Sequence, residues 1–413
     1  MKAEFHKGNR KRLYEKLPEG ALLLLFSGEE IIKTNDEYYP FFADRSFVYL
    51  TGLECKEAVL LAAKDGKGAV KEQLYILPAD AHAERWTGRR VKPYEATEQS
   101  GVEDVRSKER FEADFRSLAF SGNYGSVYLD LYRIGSKELD RPAQKFSAYI
   151  NKQVPFLAIG NANALLRELR LIKQPCEIEA LRKAEDITRD GILAMMKASK
   201  PGMYEYQYKA EFDRALGQYG PKGPGFPSII SAGENNFCIH YYSYEGQTKD
   251  GDIILNDVGA QWDNLITDVS RGWPCNGRYT PKQKLLYDCA LDTSNHMFEI
   301  IRPGMKMADV DATIRRYNYE RLKDAGVLSS YEEIGTYMWH AGAHHIGYDV
   351  HDVVKTPETI APGMVFCIDV GIYHEEWGIG FRLEDNCLVT ADGCENLSGN
   401  IPRTTEDIEA FMN

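Results

Sequence analysis

Two stretches of the chain, "DIILNDVGA" and "MVFCIDVGI", repeat one pattern: an apolar run that ends in Asp-Val-Gly, at Asp257 and at Asp369. A short apolar run bounded by glycine reads as a buried strand. A carboxylate inside it is costly unless it is paired or bound to a metal. A second repeat runs in the same order. "ASKPGMYEYQYKAEFDRAL" and "IIRPGMKMADVDATIRRY" each read as helix, Pro-Gly-Met turn and helix, with Pro201 and Pro303 marking the turns. Pro-Gly and Asp-x-Gly are common turn chemistry, but two matches in one order indicate a duplicated αβ unit. Asp257 and Asp369 are then expected at equivalent ends of two strands, facing each other across a pseudo-twofold axis.

The first part of the chain has a different texture. "ALLLLF", "FVYLTGL", "AVLLAA", "QLYILPA" and "SVYLDL" are short apolar runs separated by Gly, Lys and Asp, and they read as strands of a sheet. A long helical pattern opens at Pro175 and closes before Pro201-Gly202. The expected fold is therefore α+β, with a mixed α/β N-terminal domain over residues 1–167 and the duplicated domain over 168–413. The net charge of −12 argues against nucleic acid or an anionic membrane as the main partner. No apolar run is long enough to span a bilayer or to serve as a signal core, and the eight cysteines form no CxxC. These features predict a cytoplasmic protein whose thiols are reduced and serve as small hydrophobic side chains.

Each Asp-Val-Gly strand is followed by a second acid: Asp268 in "DNLITDVSRGW" and Glu384 in "GIGFRLEDNCLV". Taken singly, each could pair with Arg271 or Arg382, which stand nearby in sequence. Together with "WHAGAHHIGYDVHD", which holds His340, His344, His345 and His351 of the nine histidines in the chain, they form a set. Four carboxylates and an imidazole make an oxygen-rich site, which suits Mn²⁺ and tolerates Co²⁺, Fe²⁺ or Zn²⁺. Four negative charges match two divalent cations, which bridging carboxylates hold ~3.5–4 Å apart. HExxH, GxSxG and Walker A motifs are absent from the sequence, which removes rival chemistries.

At this point the sequence resembles the pita-bread metallopeptidases: methionine aminopeptidase, prolidase and aminopeptidase P. The likeness to the last two covers nearly the full length. "DVGAQWDNLITDVSRGWPCNGRYTPKQ" is similar to the Asp-x-Gly…Asp-(Ile/Val)-(Thr/Ser)-Arg segment of that family. "HAGAHHIGYDVHD", "APGMVFCIDVGIY", "GIGFRLEDNCLVT" and "SAGENNFCIHY" resemble its other site segments, and "FFADRSFVYLTGL" and "ERWTGRR" resemble the N-terminal domain of aminopeptidase P. The resemblance implies that Asp257, Asp268, His344, Asp369 and Glu384 are metal ligands, with Asp268 and Glu384 bridging. It implies that His240 and His351 bond the substrate, that His340 lies near it, that Arg382 braces the site and that His345 packs. It implies hydrolysis of the N-terminal Xaa-Pro bond of short proline-containing peptides, with prolidase activity as the alternative. A creatinase-like amidinohydrolase shares the fold but lacks the metal ligands present in this chain. Trp86 stands either where the family closes a neighbouring subunit's site, in a homodimer or homotetramer, or in the core. One departure stands out: the family's Glu-Pro-Gly is Asp-Val-Gly here, so Asp369 replaces a glutamate that is both ligand and base. Asp369 is one methylene shorter, which implies a weakened or altered catalyst and leaves open a pita-bread protein whose catalysis is lost.

Overall fold

"ALLLLF" forms β1 (Ala21–Phe26), which is buried along nearly its whole length. It lies inside a six-stranded sheet with β2 (Val59–Lys64), β3 (Val70–Ile76), β4 (Val105–Ser107), β5 (Ser126–Leu129) and β6 (Ala158–Asn161), in the order β4-β3-β2-β1-β5-β6. β1 runs antiparallel to β2 and parallel to β5. β1 and β2 are flanked on both sides and buried on both faces, so they need no polar alternation, which is why "ALLLLF" and "AVLLAA" read as unbroken apolar runs. Leu22, Leu24, Val59, Leu61, Phe115 and Val127 share the core beneath them.

The computed structural model describes residues 1–220 and 222–413, in two units, Met1–Leu169 and Arg170–Asn413. "FVYLTGL" departs from the strand expected for it. Arg45–Thr51 is a helix, α1. Asp44 caps it by accepting the amide of Phe47, and Gly52 ends it in the left-handed conformation. All seven residues are buried, so no polar face marks a helical period and a short strand cannot be told from a helix by pattern. Trp86 sits on α2 (Ala81–Thr87) and is 80% exposed, so it is not a core residue.

In the second unit both Pro-Gly-Met turns join helices. α3 (Pro175–Ala198) and α4 (Glu205–Leu216) flank Gly202, and α5 (Pro281–Ile300) and α6 (Ala308–Asp324) flank Gly304, with φ of 85° and 90° at the two glycines. Proline opens α3 and α5, where the missing amide hydrogen is not needed. Thr280 completes the start of α5 by exchanging hydrogen bonds with Gln283. Each helix pair is followed by an antiparallel strand pair: β8 (Ile253–Val258) with β9 (Val269–Pro274), and β10 (Val365–His374) with β11 (Ile379–Val389). With β7 (Ile229–Ala232) and β12 (Cys394–Asn396) they build one sheet, ordered β10-β11-β9-β8-β7, with β12 on β11. The two pairs meet where Ser270 of β9 faces Glu384 of β11. Among the described residues, no helix is long and apolar enough to cross a membrane.

Candidate metal centre

Register places the acids. Asp369 lies opposite Glu384, Glu384 opposite Ser270, and Ser270 opposite Asp257, so one row crosses β10, β11, β9 and β8. Directly paired residues point to the same face of a sheet. Asp268 stands two residues before Ser270 and Arg382 two before Glu384, so both join that face. Ser270 Oγ donates to Glu384 Oε2 at 2.8 Å. Arg382 donates to Asp257 Oδ2 at 2.8 Å, to the Tyr373 hydroxyl at 2.9 Å and to the Ile239 carbonyl at 3.3 Å. Arg271 is next to Ser270 and therefore faces the other way. It pairs with Asp385 at 2.8 Å and donates to the carbonyls of Ser270 and Glu384, both at 2.9 Å, which ties β9 to β11. It does not serve Asp268.

The glycines of the two Asp-Val-Gly repeats are set by close approach. A Cβ at Gly259 would run into the backbone carbonyl of Thr267, and one at Gly371 into the ring of His340.

The histidine-rich segment has almost no regular secondary structure, yet it is held along β10, the edge strand of the sheet. The amide of Asp369 donates to the Gly342 carbonyl at 2.9 Å and that of Cys367 to the His344 carbonyl at 2.8 Å. The segment thus covers an edge that would otherwise be open. Its far end is anchored by buried Asp352, which accepts from Arg170 and from Lys173 Nζ, the latter at 2.8 Å. These contacts turn His344 Nε2 towards the acids, 3.3 Å from Glu384 Oε1 and 3.5 Å from Asp268 Oδ2. His344 Nδ1 lies 3.4 Å from the His345 carbonyl. A proton on Nδ1 serves that contact and leaves Nε2 as an electron-pair donor. His340 lies with Nδ1 3.1 Å from Asp369 Oδ2 and Nε2 3.0 Å from the Tyr373 hydroxyl. His351 packs edge-on to His344 with ring centres 4.5 Å apart, and both His351 and His240 are exposed. His345 is buried against Phe366, and burial, with Lys173 nearby, lowers its pKa to about 4.

The site fits divalent cations. Asp257 Oδ1, Asp268 Oδ1, Asp369 Oδ1 and Glu384 Oε1 are buried and have no hydrogen-bond partner, and orphaned buried carboxylate oxygens are rare in proteins. Asp268 is 3% exposed and Glu384 1%. Burial first, and then repulsion from neighbouring acids, pushes the carboxyls of Asp268 and Glu384 well above the ordinary carboxylate range. Burial also acts on Asp369, but His340 and Arg382 outweigh it and hold that carboxyl below its usual value. A cation among these oxygens supplies the charge they lack.

Residues 179–391 match the model of metallopeptidase family M24, and residues 6–128 match that of the aminopeptidase P N-terminal domain. The chain belongs to metallopeptidase family M24. It is a metal-dependent hydrolase, and its second unit is the pita-bread domain of that family. The chain is similar to the Xaa-Pro aminopeptidase of Escherichia coli K12, with 29% identity over 98% of this chain and 96% of that protein. Among solved structures it is similar to a Bacillus anthracis protein provisionally assigned as an aminopeptidase P. That likeness has 36% identity, a TM-score of 0.97 and coverage of 100% and 98% of the two chains. It is also similar to E. coli aminopeptidase P with the inhibitor Pro-Leu, at 27% identity and a TM-score of 0.91, with the same coverage.

Within this M24 site, three contributors escaped the sequence. Ser270 was visible only through register, because it sits between Val269 and Arg271 in a strand that is buried throughout and shows no polar period. Tyr373 lies four residues past Asp369 on the same face and joins Arg382 to His340. Cys367 lies two residues before Asp369, again on that face, and was taken for a small hydrophobic residue.

Proposed function

We propose that the protein is a binuclear-metal Xaa-Pro aminopeptidase. The observation that carries this is the convergence of Asp257, Asp268, His344, Asp369 and Glu384 on one face, with orphaned oxygens, in a chain that Xaa-Pro aminopeptidases match almost end to end. These five residues would hold two divalent ions, Mn²⁺ first, with Asp268 and Glu384 shared between them. When bound, the metal supplies Lewis acidity and an acidified water.

The remaining work falls to side chains. A bond before proline has no amide hydrogen, so recognition rests on the scissile carbonyl and the free amino terminus. His240 and His351, exposed beside the acids, donate to that carbonyl and to the leaving nitrogen. Asp369 accepts a proton from the attacking water at Oδ1, since Oδ2 faces His340. Arg382 fixes Asp257 and Tyr373, and so fixes His340 through the Tyr373 hydroxyl. Trp86, which is exposed, would serve a neighbouring copy in a homodimer or homotetramer. The shorter Asp369 favours a slower or altered catalyst as the second possibility.

Two experiments test this function. Chelation with EDTA is expected to abolish peptide hydrolysis, and added Mn²⁺ to restore it. Activity that survives complete metal removal contradicts the proposal. His351→Ala is expected to lower kcat/KM by about 10²-fold while the melting temperature stays near that of the unmutated protein, because an exposed side chain carries only about 0.5 kcal/mol of stability. An unchanged kcat/KM would remove His351 from the substrate site.

A further inference from the structure

One donor atom from each of Asp268, His344, Cys367 and Glu384 falls within 4.8 Å of all the others. That spacing suits a single ion, since Zn–S is about 2.3 Å and Zn–N or Zn–O about 2.0–2.2 Å. Cys367 is fully buried, and its place on β10 follows from period 2: two residues before Asp369, it must face the acids. In the metal-free protein burial, and then the charges of Glu384 and Asp268, hold the proton on this thiol, which lies within hydrogen-bonding reach of the Glu384 carboxylate. Asp268 Oδ1 and Glu384 Oε1, both deeply buried, have no hydrogen-bond partner. Asn386 Nδ2 points an N–H at Cys367 Sγ, 3.5 Å away, while also donating to the Asp268 carbonyl. A donor aimed at sulfur treats the sulfur as an acceptor, as the second shell of a metal thiolate does.

We propose that Cys367 is a thiolate ligand of the metal centre, completing a sulfur, nitrogen and oxygen donor set with His344, Asp268 and Glu384. The inference rests on the metal site assigned above and adds a ligand to it. Coordination forms the metal–sulfur bond and releases the thiol proton to solvent. A soft donor moves preference from Mn²⁺ towards Zn²⁺ or Co²⁺, so this chain discriminates among metals differently from a site of oxygens and one imidazole.

The test is titration of the metal-stripped full chain with Co²⁺, followed by absorption. The unmutated protein is expected to show visible cobalt bands together with a near-ultraviolet thiolate-to-cobalt charge-transfer band. Cys367→Ser is expected to keep the former and lose the latter, and its ratio of Zn²⁺ to Mn²⁺ affinity to fall about 10–100-fold. Visible bands without the charge-transfer band in the unmutated protein overturn the inference and leave the metal site standing. No cobalt bands at all overturn both. If the serine variant does not fold, zinc X-ray absorption of the unmutated protein decides: a sulfur scatterer at about 2.3 Å supports the ligand, and a shell of nitrogen and oxygen alone refutes it.

Discussion

Replacing Asp268 by asparagine is expected to lower kcat/KM by about 10²–10³-fold or more, with Mn²⁺ present in excess. The amide keeps the shape of the side chain but removes a charge from the proposed metal site, where Asp268 would serve as a bridging ligand. The same change is expected to act oppositely on the metal-free fold. Asp268 and Glu384 are raised by burial and by repulsion from neighbouring acids. Their folded pKa values lie above the unfolded values of about 4, so the native state binds more protons than the unfolded chain across that window. Stability from this pair therefore falls as pH rises from about 4 through the raised folded values, and the penalty is full above them. In EDTA the unmutated protein should lose melting temperature as pH rises above about 4, and Asp268→Asn should flatten that slope. Mn²⁺ should cancel the penalty in the unmutated protein alone. A variant of normal rate, or a metal-free melting temperature with the same pH slope in both proteins, would count against the site.

The second large effect separates the two repeated glycines. At Gly259 a methyl group meets the Thr267 carbonyl, which is backbone and cannot step aside. Gly259→Ala is expected to destabilise the protein by about 3 kcal/mol or more, seen as a large drop in the denaturation midpoint or as loss of soluble protein. At Gly371 the same methyl group meets the His340 ring, the end of a side chain that can turn away. Gly371→Ala should therefore fold, yet displace His340 from Asp369 and Tyr373 and lower kcat/KM about 10–100-fold. Equal losses of stability in both variants would contradict this assignment. So would an active, stable Gly259→Ala protein.

The duplication was legible because it rests on period and punctuation. Strands ending in Asp-Val-Gly and helices split by Pro-Gly-Met carry their signal in adjacent residues. What the sequence hid depends on register. Arg271 and Arg382 looked equivalent, each within three residues of an acid, but alternation along a strand sends Arg271 to Asp385 and Arg382 to Asp257. Ser270 became part of the site only when β9 met β11. Cys367 was hidden because a buried thiol in an apolar strand has the same pattern whether it packs or binds. α1 was misread for the same reason, since burial on every side erases the polar face that distinguishes a helix from a strand.

The most direct test is release of the N-terminal amino acid from a Gly-Pro-Xaa tripeptide by metal-stripped protein, with and without Mn²⁺, with the dipeptide Gly-Pro assayed alongside. The account predicts Mn²⁺-dependent release of glycine from the tripeptide. Cleavage of the dipeptide alone would make the protein a dipeptidase. Silence on both, from folded and metal-loaded protein, would contradict Xaa-Pro hydrolysis and leave Asp369 as the residue that turned this site to another use.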